Sequence, residues 1–131
     1  MTAWLWGGRP ERWGAGVALW VYFIFAPYTW RVGDIYLDST IEDLVLTLAF
    51  GWLALRSDRW WPFAATAACG LSLLVHGLTV TTDITWGAAV SARVGLGLLF
   101  YLSLAAGVWE RWLAGETPAI HGAQWRPRKT P

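Results

Sequence analysis

The sequence predicts an all-α integral membrane protein: an antiparallel, up-down-up-down four-helix bundle with both termini cytoplasmic. Three observations carry that prediction. Apolar residues make up 56% of the 131-residue chain, charged residues only 15%, and mean hydropathy is +0.39. A soluble domain carries about 25% charged residues. Four apolar stretches approach the length of about 20 residues that crosses a bilayer. Threading them alternately gathers the basic residues on one side. The same composition excludes disorder, which is poor in aromatics and rich in charge. A net charge of +1 carries no nucleic-acid signature. The lone Cys69 excludes an intrachain disulfide framework and a Cys-rich metal site. Nine Arg against one Lys, with many Ala, Gly, Leu and Trp, fits G+C-rich coding DNA and a bacterial source.

The first span, about residues 13–30, holds no charge and lies between Arg12 and Arg31. No small-x-small cleavage site follows it, so it reads as a retained helix and not a signal peptide. The second, about 40–56, opens on Ser39-Thr40-Ile41-Glu42, the spacing of a capping box. Its uncharged part, residues 44–55, is short, and its neighbours argue for a span. The third, about 60–80, has no Asp, Glu, Lys or Arg, with Asp58 as its expected cap and Pro62 in the first turn. The fourth, about 84–112, is capped by Thr82 or Asp83, contains Arg93, and ends at Gly115 and Pro118. Short connections at 57–59 and 81–83 make neighbours antiparallel. Residues 1–114 form one domain, and 115–131 read as a flexible, basic cytoplasmic tail.

Arg and Lys positions decide orientation. Arg9, Arg12, Arg56, Arg59, Arg111, Arg126, Arg128 and Lys129 fall on one side, and only Arg31 on the other. Both termini are therefore expected inside a bacterial inner membrane. Asp34, Asp38, Glu42, Asp43 and Asp83 make the outer side acidic. Tryptophan favours the membrane interface because its ring is apolar and its N–H seeks a polar partner. Trp13, Trp60, Trp61, Trp109 and Trp112 fall at the inner boundary, and Trp30 and Trp86 at the outer one. All seven read as interface anchors.

Helix direction brings His76, Arg93, Glu42, Asp43 and Asp83 toward the outer third of the bundle. Ionisable groups in spans are costly and often functional. They form the candidate polar cluster; the competing reading is structural pairing of Arg93 with Glu42 or Asp43. The only other histidine, His121, lies in the tail on the opposite side, which argues against a bis-His haem. No metal and no cofactor is expected. Small residues recur at i+4: Ala64, Ala68 and Ser72 on the third helix, and Gly87, Ser91 and Gly95 on the fourth. Such stripes let helices approach closely. Ala89 and Gly97, flanking Arg93, form a second stripe roughly opposite on the fourth helix. The plain reading of these stripes is packing within the chain; the competing one, since a small protein cannot easily bury both faces of an outer helix, is that one stripe docks against a second copy or another membrane subunit.

HExxH, P-loop, GxSxG, CxxC and Rossmann motifs are absent, so no enzyme is expected. The run Leu53-Ala54-Leu55-Arg56-Ser57-Asp58-Arg59-Trp60-Trp61-Pro62, with His76 and the closing Gly107-Val108-Trp109-Glu110-Arg111, resembles a group of small uncharacterised bacterial four-span membrane proteins. The resemblance covers about half the chain and implies a fold but no activity. The small multidrug-resistance transporters match in size, but need a carboxylate within the first span, which is missing between Trp13 and Trp30. The leading expectation is a non-enzymatic accessory, assembly or interaction module whose partners are the bilayer and another membrane chain, with no nucleic acid. The rival is a small ion, proton or solute channel or transporter built on the polar cluster. A third is a phage-type, holin-like permeabilising protein.

Overall fold

The computed structural model describes residues 7–25, 30–32 and 35–115, without the side chains at 31, 32, 35 and 36. Four helices make up almost all of it: α1 (Arg9–Phe25), α2 (Leu37–Arg56), α3 (Trp61–Thr81) and α4 (Trp86–Leu113). A minimal antiparallel hairpin joins α1 to α2, with β1 (Arg31–Val32) paired to β2 (Ile35–Tyr36). Trp4, Trp6, Asp34 and the tail from 116 onward, with His121, lie outside the described residues.

Each helix starts for a local reason. At α1, Gly8 stands as N-cap and its carbonyl accepts the first helical bond, from Arg12 N–H at 3.0 Å. Glu11 reaches back to the Gly8 N–H at 2.8 Å, which is the second half of a capping box. Pro10 sits between them, where its missing N–H does no harm. The capping box expected at Ser39 does not form. The hairpin feeds the chain into α2 three residues earlier, and Leu37 N–H donates to the Trp30 carbonyl at 2.9 Å. Asp38 is therefore helical and not in a loop. Asp58 does not cap α3: Trp60 takes that position with no side-chain bond, and Pro62 in the first turn removes one orphan donor. Thr85 replaces Thr82 or Asp83 as the N-cap of α4, because Thr82 is taken up as the C-cap of α3, bonding back to Leu78. Gly115 ends α4 with φ of 67°, a left-handed conformation that favours glycine.

The helices alternate in direction. The start of α1, the end of α2, the start of α3 and the end of α4 share one end of the bundle, here called the terminal end. The opposite, hairpin end holds β1, β2 and the α3–α4 connection. Helix α3 packs along both α2 and α4, and α1 lies chiefly on α2. One face of α3 carries Trp61, Ala65, Ala68, Ser72 and His76, all buried. The i, i+4, i+7 spacing aligns them on a single stripe. The stripe of Ala64, Ala68 and Ser72 thus packs within the chain at its last two members, with Ala64 half-buried.

The core is organised around Trp61. Its ring has no exposed surface and meets Phe50 edge-on at 6.0 Å. Phe50 in turn meets Phe100 edge-on at 5.0 Å. Glycines make room for the indole on two sides. A Cβ at Gly107 would stand 2.5 Å from Trp61 Cδ1, and one at Gly14 would stand 2.9 Å from Cη2. Trp61 is therefore a core residue and not the interface anchor its position in sequence suggests: two facing glycines open a slot that only an inward ring fills. The other six candidate anchors, Trp13, Trp30, Trp60, Trp86, Trp109 and Trp112, are exposed.

Gly107→Ala is expected to cost about 1–3 kcal/mol by overpacking the slot. Gly95→Ala, where a Cβ meets nothing within 4 Å, should be neutral or gain up to about 1 kcal/mol from helix propensity. Denaturation followed by circular dichroism compares the two; equal effects would remove the slot from the account.

Candidate functional site

Three elements deliver the site at the hairpin end. Glu42 and Asp43 lie in the second turn of α2. Ser72 and His76 lie late on the inward stripe of α3. Arg93 lies two turns into α4. Antiparallel packing brings these positions to one level.

The Asp43 carboxylate is the centre. Ser72 Oγ donates to Asp43 Oδ2 at 2.5 Å. His76 Nε2 stands 3.2 Å from the same oxygen, an ion-pair distance once the imidazole is protonated. Its angle is not that of a hydrogen bond, and Nε2 has no hydrogen-bond partner among the described residues. His76 is buried at 6% exposure, so this proximity is not a solvent-screened surface contact. The Thr47 hydroxyl donates to the Asp43 carbonyl at 2.7 Å, which satisfies it within its own helix.

A cavity of about 150 Å³ opens beside Asp43. All four helices line it: Ala18 from α1, Ser39 and Glu42 from α2, Ser72 from α3, and Arg93 and Tyr101 from α4. The Arg93 Nε is buried without a hydrogen-bond partner among the described residues. Two carboxylates thus face one guanidinium, with a histidine close behind.

Of the five candidate cluster residues, the fold brings together Glu42, Asp43, His76 and Arg93. Asp83 is exposed in the α3–α4 connection and does not line the cavity. Helix α3 runs through Thr81, which carries Asp83 beyond the level of the cluster. Ser72, expected only as a packing residue, contributes the hydrogen bond to Asp43. Gly87, Ser91 and Gly95 point away from the bundle; all three are exposed, and a Cβ at either glycine meets nothing within 4 Å. Among the described residues, no group of three or more His, Cys, Asp or Glu is placed to hold a metal ion.

A second polar centre, at the terminal end, was not anticipated. Glu11 has no exposed surface. Besides the Gly8 N–H, its carboxylate accepts from the Trp61 indole N–H at 3.3 Å. The Arg111 guanidinium reaches the same spot, where a Cβ at Gly8 would collide with it. Nearby, Arg59 and Glu110 form an ion pair at 3.2 Å. Trp61, Arg59, Glu110 and Arg111 all belong to the segments that carry the sequence resemblance. The signal for Glu11 was the Gly8-x-x-Glu11 spacing around Pro10. No family model, curated protein or solved structure matches the chain.

Coupling between Asp43 and His76 is measurable. In a double-mutant cycle with Asp43→Asn and His76→Ala, thermal denaturation should return a coupling of about 0.5–3 kcal/mol, as for residues in contact. Additive losses would mean that the 3.2 Å approach contributes nothing.

Proposed function

We propose that the chain is a non-enzymatic, four-helix protein of a bacterial inner membrane, N-in and C-in, and that the cavity at its hairpin end is a proton site facing the outer side. The observation that carries the proton reading is a small cavity lined by Glu42, Asp43 and Arg93, with His76 Nε2 3.2 Å from the Asp43 carboxylate behind it. The 3.2 Å approach of Asp43 and His76 is the place where a proton passes between a carboxylate and an imidazole. Binding and releasing that proton needs no bond chemistry beyond the transfer itself.

The membrane assignment rests on apolar surface. Helices α3 and α4, at 21 and 28 residues, are long and apolar enough to span a bilayer. Yet only 28% and 22% of their most apolar stretches are buried. A core helix of a water-soluble protein buries most of such a stretch. Leu55, Phe23 and Val94 are 84%, 70% and 68% exposed. Contiguous apolar surface on that scale asks for lipid or a partner. Helix α2 reaches about 30 Å at 1.5 Å per residue, and α1 about 26 Å. They complete the bundle as its two shorter spans.

Cavity size favours a proton over a solute. A volume of about 150 Å³ equals about five waters at ~30 Å³ each. Small-molecule sites run to about 300–1,000 Å³. Asp38 and Asp83, at the same end of the bundle, make that side acidic and concentrate protons there. The assembly reading keeps one specific support: the exposed Gly87, Ser91 and Gly95 face of α4, whose glycines no packing within the described residues requires. The two readings are compatible in one protein.

Proteoliposomes carrying a lumenal pH dye test the proton site. Under an imposed membrane potential, the wild-type chain should acidify or alkalinise the lumen, and Asp43→Asn or His76→Ala should slow the change about tenfold or more, as loss of a positioned proton-transfer group does. Wild-type traces matching empty liposomes would overturn the reading. Topology has a separate check: reporter fusions at Asp83 should read outside and those at Ser57 inside.

A further inference from the structure

A face of α1 at the flank of the bundle, beside α2, carries a groove unrelated to the proton site. It has a volume of about 630 Å³ and is lined by Arg9, Arg12, Trp13, Gly16, Val17 and Trp20. The spacing i, i+3, i+4, i+7, i+8, i+11 is one helical face. Charge is confined to one end of it. Arg9 is exposed, and the buried Nε of Arg12 has no hydrogen-bond partner among the described residues. The neighbouring acid, Glu11, is turned fully inward to Gly8 and Trp61, so no carboxylate lines the groove. The rest of the lining is apolar, with Trp20 63% exposed. One wall is stiffened by stacking: Trp13 meets Trp52 at 5.6 Å, and Arg56 lies 4.9 Å over the Trp52 ring.

We infer that this groove binds an anionic phospholipid, its phosphate on Arg9 and Arg12 and one acyl chain along Gly16 and Val17 between the two tryptophans. Charge complementarity selects the headgroup: two guanidiniums at i and i+3 present parallel donors to phosphate oxygens. Length selects the chain. From Arg9 to Trp20 the helix rises about 16 Å, close to one leaflet of a ~30 Å hydrocarbon core. The arginines stand at the terminal end, which is the cytoplasmic end in the orientation proposed above. The inference rests on that membrane reading but not on the proton site.

Native mass spectrometry of the full chain, released from mild detergent with equimolar phosphatidylglycerol and phosphatidylcholine of the same chain length, tests it. The wild type should retain phosphatidylglycerol at least about tenfold over phosphatidylcholine. Each arginine at an anionic surface is worth about fivefold, so the double substitution Arg9→Ala/Arg12→Ala should remove nearly all the preference. Trp20→Ala should weaken retention of both lipids equally, since it touches only the chain. Arg126→Ala/Arg128→Ala should leave the preference intact. Equal retention of the two lipids by the wild type overturns the proposal. So does a preference that follows the tail arginines, or a lipid-free dimer that the Arg9→Ala/Arg12→Ala pair dissolves, which would assign the groove to a second copy. An alkaline wash of cell membranes is run beside it. A chain that leaves with the wash refutes the membrane reading itself, whereas a chain that stays but shows no preference refutes only the lipid site.

Discussion

Trp61 is the residue on which the bundle depends. Its indole is the widest object in the core, and it is placed where three other helices must pass it. Gly14 on α1 and Gly107 on α4 give way on two sides, and Phe50 of α2 closes the third. Any side chain at either glycine would push its helix outward. The ring also carries an N–H, which is costly to leave unpaired in an apolar interior. Glu11 accepts it. The carboxylate is in turn held by the Gly8 amide, so the cap of α1 and the core of the bundle are one structure. A buried carboxylate without such donors would be destabilising.

This constraint reaches the far end of the molecule through helix geometry. Ser72 lies eleven residues beyond Trp61, close to three full turns, and His76 lies one turn further. Orienting the tryptophan inward therefore orients the serine and the histidine inward as well. The aromatic slot sets the rotation of α3, and that rotation delivers a hydroxyl and an imidazole to Asp43. A helix turned by about half a turn would present Phe63 or Leu74 instead, both of which are exposed.

The two polar centres differ in kind. At the terminal end, Glu11 has two hydrogen-bond donors, with the Arg111 guanidinium beside Gly8, and lines neither the hairpin-end cavity nor the α1 groove. That arrangement locks. At the hairpin end, two carboxylates and one arginine line a common cavity. Such an arrangement has spare acceptor capacity and room for a mobile charge. Position along the same antiparallel helices thus separates an anchor from a site.

Composition and periodicity determined the all-α class and the number of helices, because each apolar stretch reports its own preference without reference to neighbours. Helix direction alone also placed Glu42, Asp43, His76 and Arg93 at a common depth. The start points were less legible. Ser39, Asp58 and Asp83 have the right chemistry for caps, yet a hairpin, a proline and an extended α3 displaced each of them. Sorting the tryptophans was beyond the sequence altogether. Trp60 and Trp61 are adjacent and chemically identical, and only the presence of Gly14 and Gly107 across the bundle decides which one turns inward. The same holds for Glu11, an ordinary first-turn acid by sequence, whose burial follows from the indole it meets. Depth is a property of a single helix; facing is a property of the packed set, and it is facing that the tertiary structure decided.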